Sequence, residues 1–161
     1  MDYAFLHGQW HIIYSNFPMW LKGDKTAPSL NYHPTDKPNV LLDVVQYTEN
    51  GRLKTIEGFD YADGASLRFV WRGKGWLRFL HSRWKIEHVS AAQDWLILSF
   101  EKTLFTPAGH DIVCRHASPT PAQLDEMERK FGELVEGKVI CKIASAPNVP
   151  TSFPNPPVGH K

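Results

Sequence analysis

Short apolar runs separated by turn residues make up most of the chain from residue 8 to residue 115. Within these runs apolar and polar residues tend to alternate, as they do in a strand whose successive side chains point to opposite faces of a sheet. The pattern predicts eight strands, at residues 8–15, 29–32, 40–48, 52–60, 66–72, 79–89, 94–103 and 110–115. Asn50-Gly51 separates two of them and is the strongest short signal for a β-hairpin, because both residues tolerate positive φ. Turn residues at 62–64 and 73–75 predict further hairpins.

One segment, residues 121–136, shows helical periodicity instead. Thr120 and Gln123 have the spacing of a capping box, and Pro121 suits the first helical position. Gly137 suits the position just after the helix. The apolar residues on one face of this helix are Leu124, Met127, Phe131, Leu134 and Val135.

Eight antiparallel strands followed by one amphipathic helix predict an all-β fold, an up-and-down barrel with the C-terminal helix packed on its wall. The interior of an eight-stranded barrel has room for about one small ligand. We expect residues 1–144 to form this unit, with a short edge strand within 139–143. The Pro-rich residues 145–161 are expected to form an extended or disordered tail.

Composition and charge exclude several classes of function. A chain of 161 residues fits one domain, and its formal net charge of +1 argues against broad nucleic-acid binding. No apolar run approaches the roughly 18 residues of a transmembrane helix. The first residues lack the basic and apolar regions of a signal peptide, so we expect a cytoplasmic protein whose two cysteines are reduced. The oligomeric state is left open.

Three separated motifs carry a family resemblance. Leu6-His7-Gly8-Gln9-Trp10 places Gly-x-Trp at the start of the first strand, and Gln93-Asp94-Trp95 begins the seventh strand. Ile112-Val113-Cys114-Arg115 ends the eighth strand with an arginine, and the helix follows. In this order the motifs resemble the lipocalin family, although Asp94-Trp95 departs from that family's usual Thr-Asp-Tyr.

The resemblance implies structural roles for Gly8, Trp10 and Arg115, with the Trp10 indole closing one barrel end and Arg115 packed over it. It also implies, as a lesser alternative to two free thiols, a disulfide between Cys114 and Cys141. Haem barrels of the nitrobindin type share Gly-x-Trp but continue with further glycines. Here His11-Ile12-Ile13-Tyr14 follows, so we expect no cofactor.

Residues 16–22 lie where lipocalins have a loop over the open end. Phe17, Met19 and Trp20 are too apolar for a purely solvated loop. Two interpretations stay open: a lid that contacts a ligand, or a loop that fixes its own position with its side chains.

Strand alternation predicts the inward-facing residues. Three strands supply Trp10, Ile12 and Tyr14; Leu67, Phe69 and Trp71; and Leu80, Ser82, Trp84, Ile86 and His88. A fourth supplies Leu53, Thr55, Glu57 and Phe59, whereas strand 40–48 is ambiguous and leaves the orientation of Asp43 open. The candidate ligand-binding residues are Tyr14, Phe17, Met19, Trp20, Tyr32, Phe59, Phe69, Trp71 and Trp84.

An aromatic interior with a few polar groups predicts the binding of one small hydrophobic molecule, such as a lipid, terpenoid or polyketide. The alternative is a cofactor-independent isomerase or cyclase that uses the same cavity, with Tyr14, Glu57 and His88 as acid or base groups. Glu57 near a strand end and His88 near a turn also fit solvated positions without a catalytic role.

Other site types have no support in the sequence. The eight histidines lack the spacing of a helical zinc site, so we expect no metal. The run from Trp71 to Lys85 is basic and aromatic, but alternation places its charges outside and most of its tryptophans inside, which is typical of a solvated face.

Overall fold

The computed structural model describes residues 2–64 and 66–144. Its strands are β1 (Gly8–Ser15), β2 (Lys25–Pro34), β3 (Val40–Glu49), β4 (Arg52–Ala62), β5 (Arg68–Gly73), β6 (His81–Val89), β7 (Trp95–Phe100), β8 (Gly109–Cys114) and β9 (Cys141–Lys142). Its helices are α1 (Pro18–Leu21), α2 (Pro121–Leu134) and two 3-10 helices, Ala4–Leu6 and Gly75–Phe79.

The strands form a closed antiparallel barrel. Each of β2 to β8 pairs with its neighbours in chain order, and β1 pairs with both β8 and β2, so the sheet has no break between its first and last strands. The predicted eight-stranded up-and-down barrel with a C-terminal helix is confirmed. The short β9 pairs with β1 at Tyr14 and Ser15, where β2 has diverged.

Two connections show how local sequence sets the topology. Asn50 and Gly51 have φ of 52° and 71°, and they join β3 to β4 in the predicted hairpin, with Glu49 opposite Arg52. The predicted tight turn at residues 73–75 is instead the beginning of the 3-10 helix Gly75–Phe79. This longer connection extends one end of the barrel.

Helix α2 begins at the predicted capping box. The Thr120 hydroxyl accepts from the Gln123 backbone N–H at 3.2 Å, and the Gln123 side chain accepts from the Thr120 N–H at 3.0 Å. Met127 and Phe131 are buried against the outer faces of β1, β7 and β8. Leu134, expected on this face, is 46% exposed because the helix ends there.

One barrel end, which we call the closed end, lies where β1 begins. The Arg115 guanidinium carbon lies 3.7 Å from the centroid of the buried Trp10 ring. Its nitrogens donate to three backbone carbonyls, those of Phe5 at 2.7 Å, His7 at 2.8 Å and Gln9 at 3.1 Å. A Cβ at Gly8, where φ is 103°, would lie 3.0 Å from the guanidinium, so the close approach requires glycine.

The opposite, open end carries the connections 16–24, 50–51, 74–80 and 101–108. None of the helices in the described part of the chain has the length and apolar character needed to cross a membrane. The tail expected at residues 145–161 lies outside the described residues.

We expect Arg115→Ala to lower the free energy of unfolding by about 2–4 kcal/mol, because it removes a cation–π contact and three charged hydrogen bonds to backbone carbonyls. Urea denaturation followed by tryptophan fluorescence measures this change. The matched control is Arg129→Ala, which removes an exposed ion pair with Glu133 and should cost less than about 1 kcal/mol. Equal losses for the two variants would contradict the proposed role of Arg115.

Candidate functional site

A cavity of about 960 Å³ opens at the open end of the barrel. We call it the cup. Met19 of α1, Ile56 of β4 and Trp71 of β5 contribute to its wall, together with Leu80, just before β6, and Ser82 of β6. The 3-10 helix Gly75–Phe79 and the loop 101–106 complete its mouth. Its lining is mainly apolar, with polar groups concentrated near solvent.

Trp71 limits the depth of the cup. Its side chain lines the cavity, and a Cβ built on Gly58 would lie only 2.4 Å from the indole. The ring therefore lies directly over the Gly58 backbone. In register, Gly58 is opposite Asp43 and Trp71 is opposite Asp60, so the indole covers the chain next to two buried acids.

Below this level the barrel is filled by its own aromatic side chains. The Trp84 ring stacks with Phe69 at 4.4 Å between centroids, with Tyr32 at 5.9 Å and with Phe100 at 6.0 Å. Tyr32, Phe69 and Trp84 face inward as predicted, but they do not line the cup. The cup therefore lies above this aromatic stack, at the open end.

The loop after β1 fixes its own position. Phe17 packs edge-on against Phe100 at 5.5 Å, and Trp20 packs against Tyr47 at 5.7 Å. Both rings are buried, whereas Met19 lines the cup. Of the two interpretations of this loop, the structure supports self-anchoring for Phe17 and Trp20, and it places Met19 where it can contact a ligand.

Three aspartates lie inside the barrel: Asp43, Asp60 and Asp111. Asp60 accepts a hydrogen bond from Trp84 Nε1 at 2.8 Å. One oxygen of each carboxyl has no hydrogen-bond partner. Such groups are costly to bury in the charged form, so we expect them to be held as neutral acids over much of the pH range.

Burial raises the pKa of each carboxyl. It raises the pKa of Asp43 well above its usual value, with a further contribution from the charge of Asp60. Burial likewise raises the pKa of Asp60, although the Trp84 hydrogen bond opposes the rise. Burial raises the pKa of Asp111 to about 7 against a hydrogen bond from Ser15. No group of His, Cys, Asp or Glu among the described residues is placed to hold a metal ion.

The expected inward orientation of Tyr14 and His88 is wrong, because a β-bulge precedes each residue. Register shifts between Ile12 and Tyr14 and between Ile86 and His88 turn the later residue to the outer face. Tyr14 donates to Glu128 of α2 at 2.6 Å. Burial, and to a smaller extent this hydrogen bond, raises the pKa of the Tyr14 phenol. The His88 ring lies 4.9 Å from the Trp95 ring, below α2.

The predicted inner face of β4 is also wrong by one residue. Ile56, Gly58 and Asp60 share the inner face with β3 partners that include Asp43. Phe59 consequently points outward, and Glu57 lies at the rim of the cup, where it pairs with Lys74 at 3.3 Å. Glu57 thus points outward from the middle of β4, and the structure does not bring it together with Tyr14 and His88.

No family model and no curated protein matches the sequence. Solved structures do match. Lobster apocrustacyanin A1 superposes with a TM-score of 0.66 at 12% identity, over 91% of this chain and 81% of that one. The siderocalin Ex-FABP gives 0.62 at 10% identity, over 81% and 87%. The bovine lipocalin allergen Bos d 2 gives 0.57 at 15% identity, over 83% and 87%. The chain has the lipocalin fold.

Within this lipocalin fold, the partial motif at Asp94 joins three elements. The Asp94 backbone carbonyl accepts from the Arg115 N–H at 2.8 Å, and its carboxylate accepts from Ser90 at 2.8 Å and from Gln123 of α2 at 3.2 Å. Cys114 packs under α2 on the outer face of the barrel, and its thiol and that of Cys141 are both free. Burial raises the pKa of the Cys114 thiol.

The buried acids predict a specific pH dependence. A carboxyl with a raised folded-state pKa holds its proton more tightly in the folded protein than in the unfolded chain. The contribution of Asp111 to stability is therefore complete below about pH 4 and is lost as the pH rises through about 7. We expect the melting temperature of Asp111→Asn to fall less than that of the wild type between about pH 5 and pH 8. Thermal melts monitored by circular dichroism measure both slopes.

Asp125→Asn, on the exposed surface of α2, serves as the control and should keep the wild-type slope. An unchanged slope in Asp111→Asn would show that the Asp111 carboxyl does not titrate with folding in this interval.

Proposed function

We propose that this protein binds a small hydrophobic molecule in the cup. The observation that carries the proposal is the apolar-lined cavity of about 960 Å³ at the open end, since pockets for small molecules usually have about 300–1,000 Å³. The siderocalin with this fold is described as functioning through dual ligand specificities. That description concerns another protein, but it is consistent with a binding role for this arrangement.

The distribution of polar groups suggests how a ligand lies. Trp71 and Leu80 provide an apolar contact inside the cup, and Ser82 adds one hydroxyl. Lys74 and Glu57 lie near solvent, where their charges stay hydrated. A ligand with an apolar or planar body and a polar group directed toward the mouth fits this gradient.

A second candidate function is the cofactor-independent isomerase or cyclase. One observation favours it: two buried carboxyls, Asp43 and Asp60, whose pKa values burial raises, lie next to the chain that Trp71 covers. A neutral acid in a dry site is suited to general acid catalysis. In this proposal Asp43 and Asp60 take the acid role, and Tyr14 and His88 do not contact the ligand.

Location in the cytoplasm stays part of the proposal. The two free thiols of Cys114 and Cys141 are consistent with a reducing compartment.

A bulky side chain introduced inside the cup should weaken ligand binding. The probes are oleic acid, all-trans-retinol and farnesol. We expect at least one of them to bind and to quench tryptophan fluorescence at micromolar concentration. Ser82→Phe, which adds a ring inside the cup, should weaken that ligand at least about tenfold. Ser118→Phe, on the exposed chain before α2, is the control and should bind as the wild type does.

Absence of quenching by all three probes, together with no adduct in native mass spectrometry, would overturn the binding proposal. Equal affinity of Ser82→Phe and wild type would place the ligand elsewhere.

The second candidate is separated from simple binding by recovering the bound probe. An isomerase converts it to a product of equal mass with a different chromatographic retention time, and Asp60→Asn should slow this conversion about a hundredfold or more while affinity changes little. Recovery of unchanged probe after long incubation of each one would exclude catalysis on these molecules.

A further inference from the structure

The open end concentrates exposed apolar side chains. Trp76 and Phe79 of the 3-10 helix are 84% and 75% exposed, and Leu104 and Phe105 of the loop 101–108 are 95% and 77% exposed. We call these four residues the rim cluster. All four line the mouth of the cup, so they form one continuous surface.

The remaining exposed large apolar residues reinforce this asymmetry. Leu21 at the end of α1 and Leu53 after the β3–β4 hairpin also lie at the open end. Among the described residues, Tyr61 lies near the closed end, whereas Leu134 at the end of α2 and Val139 before β9 lie outside the mouth of the cup. A cluster of this kind exceeds the scattered apolar exposure of ordinary surfaces and indicates an interaction site.

Four connecting segments at the same end carry an excess of positive charge. The segments 21–25, 49–57, 74–83 and 101–108 contain eight lysines and arginines but four acids, although the whole chain has a formal charge of only +1. The rim itself carries Arg78, whose guanidinium lies 4.9 Å from the Phe79 ring, and Lys102 next to the exposed loop. The rim is therefore apolar at its tips and cationic around them.

We propose that the rim cluster docks the open end onto a lipid bilayer that contains anionic headgroups. Trp76 and Phe79 suit the interfacial region, Leu104 and Phe105 reach the acyl boundary, and the surrounding cations attract the negative surface. A second copy of this chain is a poorer occupant, because two cationic rims repel each other. If the proposed function holds, docking directs the cup toward the bilayer, from which a hydrophobic ligand can enter.

The test uses the full chain and vesicles without added ligand, so that its outcome does not depend on the cup being a binding site. Co-sedimentation and the blue shift of tryptophan fluorescence are measured with phosphatidylcholine vesicles, with and without about 30% phosphatidylserine. We expect binding to the anionic vesicles, weakening as salt is raised.

Two sets of variants separate the contributions. The double variant Leu104→Ser and Phe105→Ser should weaken vesicle binding by about tenfold or more, because it removes the inserted apolar area. Arg78→Gln and Lys102→Gln should each weaken binding to the anionic vesicles about fivefold without changing binding to phosphatidylcholine alone. The controls are Val139→Ser, an exposed apolar position outside the mouth of the cup, and Lys37→Gln, an exposed position at the closed end; both should bind as the wild type does.

Absence of binding to both vesicle types would overturn the proposal, as would rim variants that bind like the wild type. Self-association that the rim variants abolish, seen by sedimentation velocity, would assign the rim to a second copy instead. Binding to a single-stranded oligonucleotide, lost in the same variants and without vesicle binding, would assign it to nucleic acid.

Discussion

Arg115 seals one end of the barrel, and the character of the whole interior depends on that seal. Its guanidinium lies over the Trp10 indole and donates to carbonyls of the chain leading into β1, so it joins the end of β8 to the start of the fold. The aromatic stack around Trp84 and the buried carboxyls lie inside the barrel beyond this end, and the cup lies at the opposite end.

The strand order, the hairpin at Asn50-Gly51 and the capped helix were predictable because each rests on a local signal. Which side chains point into the barrel was less predictable. Because inward and outward positions alternate, one irregular residue reverses the assignment of every residue after it in the strand. Single-residue bulges before Tyr14 and His88 turned both side chains from the inner to the outer face. No residue in those strands is of a type that predicts a bulge. The hairpin did contain one usable constraint: its register places Asp43 and Asp60 on the same face.

The cup was predicted as an aromatic interior, and the structure shows why that prediction was only partly right. Phe69 and Trp84 do face inward, but they pack on each other and fill the space that a ligand was expected to occupy. The mouth comes instead from a 3-10 helix in place of a tight turn, which exposes Trp76. Composition gave no sign of the rim, because the positive charge of one end is balanced by acids elsewhere in the chain.

The missing side chain at Gly58 has a consequence for which molecules the barrel admits. The indole of Trp71 rests where a Cβ would otherwise stand, with only 2.4 Å of separation. A methyl group there would push the ring into the hollow and shorten it, whereas a swing of the ring away from its resting place would lengthen it toward the acids beneath. In the proposed binding role, the length of ligand that fits the cup therefore depends on the rotamer of Trp71, which Gly58 permits.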